Sequence, residues 1–147
     1  MGVYTRYKRD QDGFRKLVEL LESTPMSKRE RMIDVGMEED PEFTQKALGY
    51  CIAFEDIIAL PDMELAEITS ACPPRMTGLA IAELGADVKA RFLKNTMPKF
   101  VQEIKDAMEE KVHMREVGGA KLKLITTARD LERKGHIKLK QIPRIGG

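Results

Sequence analysis

Apolar residues recur at helical spacing along nearly the whole chain, and this periodicity is what most constrains the fold. Phe14, Leu17, Val18 and Leu21 lie at positions i, i+3, i+4 and i+7, which places them on one face of an amphipathic helix. No segment shows a convincing alternation of apolar and polar residues, the pattern of a half-buried strand. The sequence therefore predicts an all-α protein.

Turn and cap residues divide the periodic segments into short helices. Asp40 followed by Pro41 predicts a helix start. Aspartate can accept a hydrogen bond from a first-turn amide, and the N–H that proline lacks would have no partner within the helix at this position. Ser27 and Glu30 have the spacing of a capping box, and Gly36 predicts the end of the helix that they begin. We expect about nine such helices, packed on one another because short helices are unstable alone in water.

The longest central helix is predicted to run from Thr96 to Glu110. Its apolar stripe consists of Phe100, Val101, Ile104 and Met108. Gly118 and Gly119 are interpreted as a turn before the last helix, which Gly135 ends. Short helices joined by brief turns favour a helical-repeat or small-bundle architecture.

The charge balance excludes several classes of partner. The chain has 25 Lys and Arg residues against 24 Asp and Glu residues, a formal net charge of +1. A chain this close to neutrality has no long-range attraction for nucleic acid or for an anionic membrane. No apolar segment approaches the roughly 18 to 20 residues that a membrane span needs. We therefore expect no nucleic-acid partner and no membrane insertion.

The sequence contains no recognisable catalytic constellation. It lacks a phosphate-binding loop, and His113 and His136 are far apart, with no Asp, Glu or Cys set at metal-ligand spacing. Cys51 and Cys72 have no Cys-x-x-Cys spacing and are interpreted as reduced packing residues of a cytosolic protein. The sequence predicts a protein that is not an enzyme and has no catalytic residue, metal site or cofactor.

Three motifs in register carry a family resemblance. They are Asp-Pro-Glu at 40–42, Phe-Glu-Asp-Ile-Ile-Ala-Leu at 54–60 and Phe-Leu-Lys-Asn at 92–95. With the spacing between them, they resemble the C-terminal region of the flagellar motor switch protein FliG over roughly residues 27–135. The resemblance implies an armadillo-like helical lobe over 10–51, a FliG C-terminal-like helical lobe over 54–135 and a mobile tail over 136–147. It also implies a hinge formed by Cys51, Ile52, Ala53 and Phe54.

The same resemblance implies a non-enzymatic rotor protein of the bacterial flagellum. Proteins of this type pass force to the rotor through a charged helix that contacts the cytoplasmic loop of the stator protein MotA. A FliM-type switch protein and neighbouring copies are the other implied partners. The implied location is cytoplasmic and peripheral, at the flagellar basal body of the inner membrane.

One charged stripe of the predicted central helix falls where the family carries its contact ridge. The candidate ridge residues are Lys99, Glu103, Asp106, Glu110, His113 and Arg115. The first four are spaced by four, three and four residues, so they share one helix face. Ala107 stands where the family has a second acid, next to Asp106.

Two other interpretations of the stripe and of the chain stay open at this point. The stripe can be a solvated face with internal Lys–Glu pairs. The chain can also be a helical adaptor or scaffold, a FliG-like paralogue that binds another cytoplasmic protein. The absence of the family's second ridge acid at Ala107 favours that alternative.

Overall fold

A computed structural model describes residues 3–143, and within them the chain forms ten α-helices and no strand. The predicted all-α class is confirmed. In chain order the helices are α1 (Val3–Arg9), α2 (Gly13–Ser23), α3 (Met26–Glu39), α4 (Pro41–Tyr50), α5 (Phe54–Ile58), α6 (Asp62–Ala71), α7 (Pro74–Ile81), α8 (Ala86–Lys94), α9 (Pro98–Met108) and α10 (Met114–Arg133). Helix α1 has no counterpart among the predicted helices.

Helix α4 begins as the sequence predicts. The Asp40 Oδ1 atom accepts a hydrogen bond from the Phe43 backbone N–H at 3.1 Å, and Pro41 occupies the first helical position. The capping box predicted at Ser27 is wrong. Helix α3 begins two residues earlier, at Met26, and its N-cap residue Pro25 supplies no side-chain cap.

Gly36 and the Gly118–Gly119 pair lie inside helices, so the predicted helix end and turn at these glycines are wrong. A Cβ atom at Gly36 would lie 2.5 Å from the Tyr4 ring. Glycine at this position therefore allows Tyr4 of α1 to pack closely against α3. Around Gly118 and Gly119 the space is open, and the helix continues because Val117 and Ala120 are buried. Tertiary packing here overrides the weak helix propensity of glycine.

The described residues divide into two compact units at the bond between Ile52 and Ala53. The N-terminal unit comprises the described residues up to Ile52 together with 140–143, and the C-terminal unit comprises Ala53–Leu139. The core of the N-terminal unit consists of Tyr4, Phe14, Leu17, Val18, Leu21, Phe43 and Ala47. The apolar face predicted for α2 thus forms the centre of this core.

The C-terminal unit is built around the packing of α7 against α9 and α10. Gly78 of α7 marks the closest approach: a Cβ atom there would lie 2.6 Å from the Ile104 carbonyl oxygen of α9. Ile104 is fully buried, and Ala107 is 1% exposed. This contact fixes which face of α9 is turned toward solvent.

Part of the predicted mobile tail packs on the C-terminal unit. Ile137 is 3% exposed, and the Lys138 backbone N–H donates a hydrogen bond to the Glu64 carboxylate at 2.6 Å. Charges and terminal glycines predict a mobile segment, but one buried apolar residue, Ile137, is enough to anchor part of it. Residues 144–147 of the predicted tail lie outside the described residues.

Acid is expected to destabilise the chain partly through Asp40. The hydrogen bond from Lys8, and then that from the Phe43 N–H, lower the pKa of this carboxyl below its ordinary value. A lowered folded-state pKa contributes stability above the unfolded-state pKa of about 4, and this contribution is lost as pH falls through the folded-state value. Asp40→Asn keeps a cap acceptor without the charge. The difference in Tm between the protein and this variant should shrink as pH falls below about 4, and parallel curves would contradict the assignment.

Candidate functional site: the charged ridge and the inter-unit linker

Helix α9 presents three of the six predicted ridge residues on its solvent face. Lys99, Glu103 and Asp106 are exposed, whereas Ile104 and Ala107 are buried. The spacing of four and three residues places the three charges along one stripe. The helix begins at Pro98 and ends at Met108, two residues inside each predicted boundary.

The charges on this stripe make few bonds to the rest of the unit. The Asp106 carboxylate accepts a hydrogen bond from the neighbouring Gln102 amide at 2.9 Å. The Lys99 ammonium lies 5.0 Å from the centre of the adjacent Phe100 ring. Within residues 3–143, neither Lys99 nor Glu103 has an ion-pair partner. The internal Lys–Glu pairing considered for this face does not form among the described side chains.

Glu110 lies beyond the end of α9 and is engaged within the unit. Its two carboxylate oxygens accept hydrogen bonds from Arg75 Nε at 3.2 Å and from Arg75 Nη2 at 3.0 Å. This bidentate pair raises the pKa of Arg75 above its ordinary value, mainly through the hydrogen bonds that Arg75 donates to Glu110. The pair joins the start of α7 to the segment after α9. Because both side chains are substantially exposed to solvent, the pair adds little to the stability of the fold.

His113 and Arg115 mark the start of α10. The His113 Nδ1 atom accepts a hydrogen bond from the Arg115 backbone N–H at 3.1 Å, and the Glu116 carboxylate accepts one from the His113 N–H at 3.3 Å. The imidazole therefore acts as a helix cap, while the Arg115 side chain is exposed. All six predicted ridge residues are exposed and follow one another over the segment 99–115.

The four predicted hinge residues span the boundary between the units. On the N-terminal side, Ile52 is 2% exposed, and its backbone N–H donates a buried hydrogen bond to Glu22 Oε2 at 2.8 Å. On the C-terminal side, the Ala53 N–H donates to Asp56 Oδ2 at 2.7 Å, which caps α5. Residues 51–53 are not helical. Motion at this linker stays a prediction.

Glu22 is the functional candidate that the sequence interpretation missed. Its side chain is 1% exposed although it lies at the edge of the apolar face of α2, four residues after Val18. A carboxylate is seldom buried to this degree without strong hydrogen bonds. Its position beside the apolar stripe was the one available signal. The partner at Ile52, 30 residues away, was not visible in the pattern.

The environments of the two cysteines are those of packing residues rather than of nucleophiles or metal ligands. Cys51 is half-buried and Cys72 is buried, and no disulfide joins them. Burial raises the pKa of the Cys72 thiol, which keeps it protonated and poorly nucleophilic. Residues 3–143 contain no group of three or more His, Cys, Asp or Glu side chains placed to hold a metal ion. In that same range, no helix is both long and apolar enough to cross a bilayer.

The fold and this surface define a class of protein: a chain of short packed helices whose distinctive features are an exposed mixed-charge helix face and a linker between two units. A comparison with known families identifies the class more closely. Residues 37–139, well over half of the chain, match the FliG C-terminal domain family. The chain belongs to this family of flagellar motor switch proteins, and the predicted resemblance is confirmed.

Individual relatives agree with the family assignment. The flagellar motor switch protein FliG of Thermotoga maritima is 24% identical over 92% of this chain and 41% of its own length. A crystal structure of FliG residues 86–343 from H. pylori is 20% identical, covers 93% of this chain and 66% of that one, and has a TM-score of 0.64. The structure of full-length FliG from Aquifex aeolicus is 23% identical in sequence and has a TM-score of 0.55. The match covers 91% of this chain and 42% of that one. The structures establish the shared fold, and this chain spans less than half of the curated relative.

Proposed function

We propose that the chain is a non-enzymatic flagellar rotor protein that passes force through the exposed face of α9 to a MotA-type stator loop. The family assignment supports the flagellar context. The observation that carries the contact itself is the exposure of Lys99, Glu103 and Asp106 along one stripe, with little engagement elsewhere in the unit.

Exposed charges of mixed sign suit a contact that is made and broken repeatedly. Complementary charges raise the rate of encounter and fix the register of the partner, whereas each exposed pair adds only about 0 to 1 kcal/mol. A contact of this kind releases quickly after each stroke. A large apolar interface would bind more tightly and release too slowly.

The six ridge residues are expected to contribute unequally. Lys99, Glu103 and Asp106 are available on α9, and the Arg115 side chain is available at the start of α10. Glu110 must first give up its bidentate bond to Arg75 before it can pair with a partner. We therefore expect Glu110 and the cap residue His113 to position the ridge more than to bind.

The remaining assignments follow from the family and from the division of the chain. We infer that a FliM-type switch protein and neighbouring copies are further partners, and that the linker 51–54 adjusts the two units during switching. The proposed location is the cytoplasmic face of the inner membrane, peripheral to the flagellar basal body.

Charge reversal on the ridge is expected to weaken stator binding about tenfold at low salt, which corresponds to about 1.4 kcal/mol. The variants are Lys99→Glu and Asp106→Lys, tested separately against a purified MotA-type cytoplasmic loop. The affinity should also fall between 0.05 and 0.3 M salt, because about 0.1 M salt already screens exposed charges beyond about 10 Å. Titration calorimetry or fluorescence anisotropy measures both effects.

Lys105→Glu is the matched control for Lys99→Glu. Lys105 is exposed on the same helix but lies about 120° around the axis from the ridge stripe. The Lys105→Glu substitution changes the net charge by the same amount as Lys99→Glu. Because it lies off the ridge, it should leave stator binding unaltered. Equal loss in Lys99→Glu and Lys105→Glu would show a response to net charge alone. Binding that ignores salt and both ridge reversals would overturn the proposal.

One observation favours the adaptor alternative. Ala107, which stands at the position of the family's second ridge acid, is 1% exposed and packs toward Gly78. An acidic side chain cannot be displayed there, so this ridge is narrower than the family pattern. Affinity capture from the native cytoplasm distinguishes the two functions: recovery of stator or switch proteins supports the rotor role, and their absence alongside another captured protein supports the adaptor.

A further inference from the structure

The N-terminal unit contains a cavity of about 690 Å³ that the proposed motor function does not use. It is lined by side chains of α1, α2 and α3 and by Thr24, which follows α2. Tyr4 and Leu17 are buried at its floor, Tyr7, Leu20 and Met32 are half-buried along its walls, and Val35 is exposed at its rim. The space is open to solvent on one side, so it is a deep apolar groove rather than an enclosed void.

Two of the hydroxyl groups that line the cavity are satisfied within the unit. The Tyr4 hydroxyl donates a hydrogen bond to the Met32 carbonyl oxygen, and the Thr24 hydroxyl donates one to the Leu20 carbonyl oxygen at 2.6 Å. The Tyr4 ring and the Thr24 methyl group are left to add apolar surface. The interior of the cavity therefore suits a hydrocarbon chain better than a polar ligand.

Two positively charged side chains lie at the rim of the cavity. Lys28 and Arg31 line the cavity, are exposed and lie three residues apart on α3, so they are neighbours on one face. Among residues 3–143, neither has an ion-pair or hydrogen-bond partner for its side chain, and no acidic residue lines the cavity. By contrast, Lys8 of α1 is paired with Asp40 at 2.9 Å.

We propose that this cavity binds an anionic amphiphile, with an acyl chain inside and a carboxylate or phosphate head group held by Lys28 and Arg31. Its volume lies within the roughly 300 to 1,000 Å³ typical of ligand pockets. Charge-assisted hydrogen bonds from two cations favour an anionic head over a neutral or cationic one. The site belongs to the N-terminal unit and does not depend on the stator contact.

The first test compares ligands of equal chain length on the full chain, below their micelle concentrations. Calorimetric titration with dodecanoate, with a lysophosphatidylglycerol carrying a twelve-carbon chain and with dodecyltrimethylammonium separates the head groups. We expect saturable one-to-one binding of at least one anion, at least ten times tighter than that of the cation. Preference for dodecanoate identifies a free carboxylate as the ligand, and preference for the lysolipid identifies a phosphate head. No binding of either anion, or equal binding of the cation, would overturn the proposal.

Variants place the binding in this cavity. Lys28→Glu combined with Arg31→Glu should weaken anion binding at least tenfold and leave the fold intact, because both side chains are exposed. Lys46→Glu is the control, since Lys46 is an exposed cation of α4 that does not line the cavity. Leu20→Trp should fill the space and abolish binding. If the paired rim reversal behaves like Lys46→Glu, or if bound anion shifts NMR signals of the C-terminal unit instead, the assignment is wrong.

Discussion

Gly78→Ala is expected to lower the free energy of unfolding by about 1 kcal/mol, and by up to about 2, although it replaces a glycine inside a helix. The new Cβ atom would lie 2.5 Å from the Ala107 Cβ atom and 2.6 Å from the Ile104 carbonyl oxygen. These neighbours belong to the backbone of α9 and to the first atom of a side chain, so no rotamer change can relieve the contact. Overpacking of this kind costs about 1 to 3 kcal/mol, which exceeds the gain of about 1 kcal/mol in helix propensity.

Gly118→Ala is the matched control for this effect. Gly118 is exposed inside α10, and a Cβ atom there meets nothing within 4 Å. The same substitution should therefore raise the free energy of unfolding by up to about 1 kcal/mol. Urea unfolding followed by circular dichroism measures both changes. If Gly78→Ala stabilises the protein as Gly118→Ala does, the close crossing of α7 and α9 is wrong.

The Gly78 contact also links the core to the proposed ridge. Because α9 rests on α7 through Ile104 and Ala107, the crossing determines that Lys99 and Asp106 point to solvent. A Cβ atom at Gly78 would push against the α9 backbone, and a shift of α9 would move the charged stripe with it. We therefore expect Gly78→Ala to weaken binding of a MotA-type loop as well, although no ridge charge is altered.

Local patterns in the sequence were enough to predict the fold class and the exposed face of α9. The apolar period at Phe14, Leu17, Val18 and Leu21 depends on burial along one helix, and all four residues are buried. The cap at Asp40 was predictable because its partner is only three residues away. Each of these features is decided within one or two turns of chain.

Features that depend on distant residues were not predictable in this way. Gly36 and Gly118 each suggested a break, yet packing around them keeps both inside helices. The bond between Arg75 and Glu110 joins residues 35 positions apart, so the pattern could not show that one ridge acid is engaged. Ile137 lies in the predicted tail but is buried. Charge and glycine content do not indicate which single apolar residue packs against the rest of the fold.

Glu22→Ala is the second substitution with a large expected effect, a loss of about 2 to 3 kcal/mol in the free energy of unfolding. The Glu22 carboxylate is 1% exposed and accepts the buried hydrogen bond from the Ile52 N–H at 2.8 Å. Alanine leaves that donor without this acceptor and opens a small space beside α2. An unsatisfied buried donor costs about 1 to 3 kcal/mol, and the bond to a charged acceptor is among the stronger ones.

Glu22→Gln tests whether the bond to Ile52, rather than the bulk of the side chain, is responsible. Glutamine has nearly the same volume as glutamate and keeps a carbonyl acceptor. Glu22→Gln should therefore lower the free energy of unfolding by only about 1 kcal/mol. Amide hydrogen exchange at Ile52 gives the local measurement, because this N–H belongs to the proposed hinge. Exchange should accelerate strongly in Glu22→Ala and modestly in Glu22→Gln. If both variants unfold alike and the Ile52 amide remains protected in each, Glu22 does not hold the linker, and the anchoring of the hinge must lie in the apolar contacts of Ile52 instead.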